Sequence, residues 1–190
     1  DWKDIPPFLV ALSENNCGGE FQVNISVKLA ALVFLRASSL VSMKWTDVDW
    51  NGKMLTTPAE FMKGKREHLT PLSSAALELL RRLEAINGDE EWVFYSPRGK
   101  QYSHITPVTP NHHITHLGYQ GKMCLHGFRA MAMTHGREQL GYSQEIISLQ
   151  LAHMNKDKII AAYDRSSFMK ERTKFMNSWS DLLLENGLEV

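Results

Sequence analysis

The segment from Val23 to Leu35 is apolar over almost its whole length, with Val27, Ala30, Ala31 and Phe34 at helical spacing. A helix apolar on most of its faces has to be surrounded by other elements, so the segment predicts a buried helix ending near Arg36. Arg36 is thereby expected at the mouth of the core rather than on an open face. No apolar run in the chain reaches the length of about 18 residues that would suggest a membrane span.

The surrounding sequence supplies what must cover that helix. Ile5 to Ser13 reads as a short helix with Pro6 and Pro7 near its start, where first-turn amides have no intrahelical acceptor. After a loop of Asn15, Asn16, Gly18 and Gly19, the long helix follows. Trp45 to Trp50 alternates around Asp47 and Asp49, Asn51-Gly52 signals a two-residue turn, and Met54 to Pro58 returns as an extended run. His68 to Leu72 reads as a third strand beyond the basic turn Lys63-Gly64-Lys65-Arg66. Ser73 or Ser74 caps an amphipathic helix carrying Leu77, Leu80, Leu83 and Ile86, closed by Asn87-Gly88. Trp92 to Tyr95 looks strand-like, and Ser96 to Gly99 is a turn. Pro110 to Leu117, Gly127 to Leu140, Ser143 to Leu151, Lys156 to Tyr163 and Phe168 to Leu184 read as helices. The expected class is mostly α with a small antiparallel β-sheet, an α+β fold.

With 190 residues and 43% hydrophobic content, the chain suits one well-buried core, and residues 1–190 are expected to form a single domain. It opens on Asp1 and Trp2 rather than Met, so we expect a fragment of a longer protein whose N-terminal modules are absent. Cys17 and Cys124, with no signal peptide, fit two free thiols in a reducing compartment.

Net charge is zero, but its distribution is uneven. From Trp92 to Arg137 there is no Asp or Glu, while Arg98, Lys100, Lys122, Arg129 and Arg137 are basic and His104, His112, His113, His116, His126 and His135 can add charge. Such a stretch suits a phosphate backbone, or is an ordinary surface that lacks carboxylates over this span. His126 and Arg129, three residues apart at a helix start, point the same way beside unpaired amides, an arrangement that suits an oxyanion. His112 and His116 have the spacing of a helical metal pair, but no convincing third ligand lies near. Trp45, Trp50, Trp92, Met131 and Met133 read as core rather than as a base-stacking platform.

His153 and Tyr163 follow Arg129 by 24 and 34 residues. Together with Arg36 before the sheet and Lys63 in the turn, these positions resemble the tyrosine recombinases, and most closely the integrases of phages and genomic islands. Phe34 to Leu40 through Lys44-Trp45 resembles the first arginine motif of that family. Met62-Lys63 with His68 to Ser73 resembles its lysine-bearing hairpin, and Trp92 to Gly99 the strand and turn beyond. Leu125 to Ala130, Leu151 to His153 and Ala161 to Arg165 resemble the rest of the signature. In one respect the chain departs from the pattern: Ser39 stands where the family has an acidic residue that braces the site.

The resemblance implies a catalytic domain for site-specific DNA recombination, with Arg36, Lys63, His126, Arg129, His153 and Tyr163 as its catalytic residues. Tyr163 would attack the scissile phosphate and leave a 3'-phosphotyrosyl link, and the arginines would clamp non-bridging oxygens. Lys63 would protonate the leaving 5'-oxygen, and the two histidines would bond the phosphate and assist the tyrosine. No metal or other cofactor is implied. The implied partners are double-stranded DNA at attachment sites, further copies of the chain assembled on DNA as a tetramer, and accessory DNA-bending or excisionase proteins. No membrane is among them, and the implied place is the bacterial cytoplasm with the nucleoid. A non-catalytic DNA-binding derivative of the fold and a type IB topoisomerase-like relaxing enzyme are the alternatives, with a metal-dependent nuclease disfavoured because carboxylates are not clustered.

The final helix carries an apolar stripe of Phe168, Met169, Phe175, Met176, Trp179, Leu182, Leu183 and Leu184 that must be buried. In the family this segment often packs on a neighbouring protomer. Folding back on its own domain is the other way to bury it.

Overall fold

The apolar segment forms helix α2 (Phe21–Val33), buried at every position from Val23 to Val33. The computed structural model describes residues 1–15, 17–96, 103–153 and 168–190, and within them the other elements are laid around α2. Helix α1 (Ile5–Glu14), with its prolines in the first turn, buries Ile5, Phe8, Leu9 and Leu12. Helix α2 stops at Phe34, whose φ of 60° is left-handed and whose amide bonds back to Ala30 O at 3.1 Å. That conformation costs a non-glycine residue roughly 1 to 2 kcal/mol. The Phe34 ring offsets it by full burial, edge-on to Trp179 at 5.3 Å and stacked near Phe175 at 6.0 Å.

After α3 (Ala37–Val41) comes the antiparallel sheet, in the order β1 (Val48–Asp49), β2 (Met54–Thr57), β3 (His68–Pro71). Leu55 lies opposite Val48 on one side and Thr70 on the other, and Thr57 opposite His68. The first strand is shorter than its alternation predicts. The Asp47 carboxylate accepts the Lys44 amide at 2.9 Å and winds Trp45–Asp47 into a 3-10 turn. Trp92 to Tyr95 likewise forms only two isolated bridges, Lys44 with Trp92 and Tyr95 with His104.

Helix α4 (Ser74–Asn87) is capped by Ser73, whose hydroxyl accepts from the Ala76 amide. Helix α5 (Thr109–Ile114) runs into a π-helical turn over Thr115–Tyr119 that is broken at Gly118. Then follow α6 (Gly127–Glu138), α7 (Gln144–Gln150) and α8 (Met169–Glu185). The arrangement is the expected α+β one. The predicted helix over Lys156 to Tyr163 and most of the turn from Ser96 to Gly99 lie outside the described residues. None of the described helices is long and apolar enough to cross a membrane.

Helix α8 settles into its own chain's core. Phe175, Met176, Trp179 and Leu183 are buried, and the Trp179 indole donates to Ala31 O of α2 at 2.9 Å. Gly136 of α6 lets α8 approach closely: a β-carbon there would lie 2.9 Å from the Phe175 ring and 3.0 Å from Ile147. Past α8, Leu188 is buried, Lys28 donates to Glu189 O at 2.8 Å, and the Ser13 hydroxyl joins Gly187 O and the Glu189 amide. The stripe that could have been offered to a neighbour is therefore largely occupied within the chain. The reason is the breadth of α2, which is apolar on most of its faces and needs a cover on this side too.

Candidate active site

Arg36 caps the start of α3, half-buried at the edge of the core as expected, two residues beyond the left-handed Phe34. The same reversal that ends α2 turns the Phe34 carbonyl toward α6. There Arg129, only 5% exposed, donates to it through Nη1. Through Nη2, Arg129 donates to Leu151 O, two residues before His153. One guanidinium thus spans the C-terminal ends of α2 and α7, where helix dipoles favour a cation. It links the backbone two residues ahead of Arg36 to the backbone two residues ahead of His153.

His126 sits exposed at the N-cap of α6. Its position is set from below by Leu125, buried, whose amide bonds the Asn111 side chain of α5 at 2.8 Å, and by the fully buried Phe128. Arg129 follows in the first turn, and its amide bonds His126 O at 3.1 Å.

His153 leaves α7 through a Schellman turn. The His153 amide bonds Ser148 O at 2.9 Å, the Ala152 amide bonds Leu149 O at 3.0 Å, and Ala152 holds the left-handed conformation between them, with φ 50°. The imidazole is held below its ordinary pKa by partial burial and by the charges of Arg129, Arg36 and His126. Burial and Arg36 likewise lower Arg129 to about 10, still far above neutrality, so its charge persists. Four of the predicted residues therefore share one electrostatic neighbourhood. Two guanidiniums close together are costly on their own and are relieved by an anion.

Lys63 is exposed in the turn between β2 and β3. The turn is anchored at its base: the buried Ser39 hydroxyl donates to Phe61 O at 2.6 Å and lies 3.8 Å from the Met62 sulfur, while the Phe61 ring meets Trp92 edge-on at 6.3 Å. Ser39 is one helical turn from Arg36. The residue that departs from the family pattern thus ties the arginine's helix to the lysine's turn. Tyr163 lies outside the described residues, as do Arg98 and Lys100.

Three residues that the sequence reading did not single out underlie the site. His68 is 8% exposed and donates through Nε2 to Gln150 O at 3.0 Å. Arg172 of α8 donates through Nε to Gln150 Oε1 at 3.0 Å and through Nη2 to Leu69 O. Burial, with Arg172, Arg129 and Arg36 nearby, lowers His68 to about 4 despite its carbonyl partner, so it is neutral at pH 7. A signal for Arg172 existed. It falls in phase with Phe175, Met176, Trp179 and Leu183, on the buried stripe of its helix.

The acid-free stretch is only partly a surface. His112, His116, Lys122, His126 and Arg137 are exposed, but His113 is buried against Asn24 of α2 at 3.1 Å, and His135 is buried beside Trp2. Among the described residues no three His, Cys, Asp or Glu side chains come together as a metal site. Trp45 and Trp50 stack on each other half-buried, and Met131 is in the core.

Sequence comparison meets this geometry from another direction. The profile of the phage integrase family matches residues 9–170, which include Arg36, Lys63, His126, Arg129 and His153 but not Arg172. The integrase of Enterobacteria phage P4 is 33% identical over 194 aligned residues, covering 94% of this chain and 43% of that protein. Prophage integrase IntA of Escherichia coli (strain K12) is 32% identical over 152 residues, 80% of this chain and 36% of the relative. The integrase of Shigella phage Sf6 is 31% identical over 185 residues, 95% and 46%. The chain spans less than half the length of these relatives, and it belongs to the phage integrase family of tyrosine recombinases.

Proposed function

We propose that this chain is the catalytic domain of a site-specific DNA recombinase that cuts and rejoins strands through Tyr163. The observation that carries the reading is the convergence of two guanidiniums, Arg36 and Arg129, and two imidazoles, His126 and His153, on one neighbourhood, tied together by Arg129. A phosphodiester supplies the anion such a cluster calls for.

Cleavage needs a nucleophile, stabilisation of a crowded, negatively charged transition state, and a proton for the departing sugar oxygen. Tyr163 attacks the phosphate, forming the 3'-phosphotyrosyl bond as the bond to the 5'-oxygen breaks. The 5'-hydroxyl of another strand later reverses this step. Arg36, the more open of the two arginines, presents its planar fork to the non-bridging oxygens. Arg129 adds its charge and the donors its two carbonyls leave free, since a guanidinium has five N–H bonds. His126 and His153 donate to the same oxygens and ease removal of the phenol proton, which at a pKa of ~10 is otherwise retained at neutral pH. Lys63, on its anchored turn, gives a proton to the 5'-oxygen. The substrate is double-stranded DNA at attachment sites, on which copies of the chain assemble as a tetramer.

The test is covalent trapping on a nicked duplex carrying the attachment site of the element that encodes the protein. Wild type should give a protease-sensitive protein–DNA adduct. Tyr163→Phe, which removes only the attacking oxygen, should give none while binding the duplex equally well. An adduct with the phenylalanine variant overturns the assignment.

A further inference from the structure

His68 has no part in the chemistry just described, yet its place in the fold bears directly on that chemistry. The last turn of a helix leaves carbonyls without intrahelical partners, and in α7 each has found a distinct one. Ile147 O takes the Leu151 amide, Ser148 O the His153 amide and Leu149 O the Ala152 amide. Two remain, at the point where the chain swings toward His153. Leu151 O is taken by Arg129 and Gln150 O by His68.

We infer that His68 is a positioning residue for His153: its Nε2–H caps the Gln150 carbonyl and so fixes the turn that carries His153 to the phosphate. Arg172 completes the support. It holds the Gln150 side chain on one side and the carbonyl of Leu69, the neighbour of His68, on the other. β3, α7 and α8 are thereby joined in a closed ring beneath the site. With Gln150 1% exposed, no water replaces a lost partner there, so the carbonyl depends on His68. Left-handed Ala152 adds to that dependence. It is held by the hydrogen bonds around it rather than by its own preference.

The role rests on His153 acting at the phosphate, and the test separates the two. Glutamine places its amide nitrogen where Nε2 of histidine lies, whereas asparagine falls short of it. The full chain with labelled histidines is titrated by NMR as wild type, His68→Gln and His68→Asn. In His68→Gln the His153 midpoint should stay low; in His68→Asn it should rise toward the ordinary histidine range as the turn loosens. Cleavage of the nicked duplex should fall about tenfold in His68→Asn, at unchanged DNA affinity, and recover in His68→Gln. In a His153→Ala background the His68→Asn change should cost nothing further. An unmoved His153 midpoint in His68→Asn, or an equal cleavage loss with and without His153, overturns the inference. Wild-type cleavage by His153→Ala alone would instead remove His153 from the chemistry, and the NMR midpoint would still decide the positioning. Should His68→Asn not fold, Arg172→Lys, which keeps the charge but cannot span both Gln150 and Leu69, is read by the same midpoint.

Discussion

Arg129 donates through Nη1 to the carbonyl of Phe34, a residue held in left-handed backbone at the end of the most buried helix. The bond makes the arginine part of the fold as well as of the site, because Leu151 O depends on its other nitrogen. Lysine carries its three N–H donors on one nitrogen and does not reproduce the fork that meets the two carbonyls. Arg129→Lys should therefore lower unfolding free energy by about 2 to 4 kcal/mol, as expected for a buried carbonyl left unpaired and a charged bond lost. It should also slow cleavage. Arg36→Lys, at a half-buried cap with no such duty, should slow cleavage by about 3 kcal/mol of barrier with little loss of stability. Urea unfolding and single-turnover cleavage of the two variants measure this, and equal stabilities would show that the cross-brace contributes nothing.

Ser39 makes a second prediction. Its hydroxyl holds Phe61 O beneath the turn of Lys63, so Ser39→Ala should cost roughly 1 kcal/mol of stability and loosen the proton donor. A substrate whose bridging 5'-oxygen is replaced by sulfur leaves as a thiolate, whose acid has a pKa of only about 8.5 and needs no proton. Ser39→Ala should cut the ordinary substrate more slowly than wild type and the sulfur substrate equally fast, as should Lys63→Ala. If Ser39→Ala is slow on both substrates, the serine acts through Arg36 rather than through the lysine turn.

The buried state of His68 sets a pH dependence. Its folded pKa near 4 lies below the ordinary 6.5, so between these values the unfolded chain binds the proton and the folded one does not. Stability should therefore fall as pH drops from about 6.5 to about 4, by roughly 3 kcal/mol from this residue, and His68 should add no further loss below that range. Carboxylates titrate nearby, so the comparison is with His68→Gln, which lacks the term. The urea midpoint of wild type should fall further between pH 7 and pH 4.5 than that of His68→Gln. A parallel decline would mean that His68 charges freely in the fold.

What could be read from the sequence divides along physical lines. α2, the hairpin strands and the amphipathic helices follow from periodicity, since local spacing decides which face is apolar. Arg36, Lys63, His126 and Arg129 could be located because each sits at an element boundary that the sequence marks. The meeting of His68, Gln150 and Arg172 could not be read, because it depends on three elements distant in sequence. The alternation of β3 gives His68 an inward face without saying what it meets. In the sequence Ser39 stands out only as a departure from the family pattern, and its partner Phe61 O is a main-chain atom that no side-chain pattern reveals. The acid-free stretch misled in part, since composition does not separate exposed His126 from buried His113 and His135.

The apolar stripe of α8 could have been buried on a neighbour or at home. Trp179 is fully buried against Phe34 and bonded to Ala31 O, and Arg172 in the same helix braces β3 and α7. Removing residues 168–190 should therefore abolish the cooperative melting transition, not merely weaken association. Trp179→Ala is the graded version. It leaves a large cavity beside left-handed Phe34 and frees Ala31 O, so it should cost about 3 to 5 kcal/mol. Because Phe34 leads into Arg36, the same variant should also slow cleavage at temperatures where it remains folded. Calorimetry of the truncated chain and of Trp179→Ala provides the measurement. If the truncated chain melts cooperatively near the wild-type temperature and loses only joint recombination of two sites, α8 belongs to the contact between protomers, and its seat against α2 is dispensable for the fold.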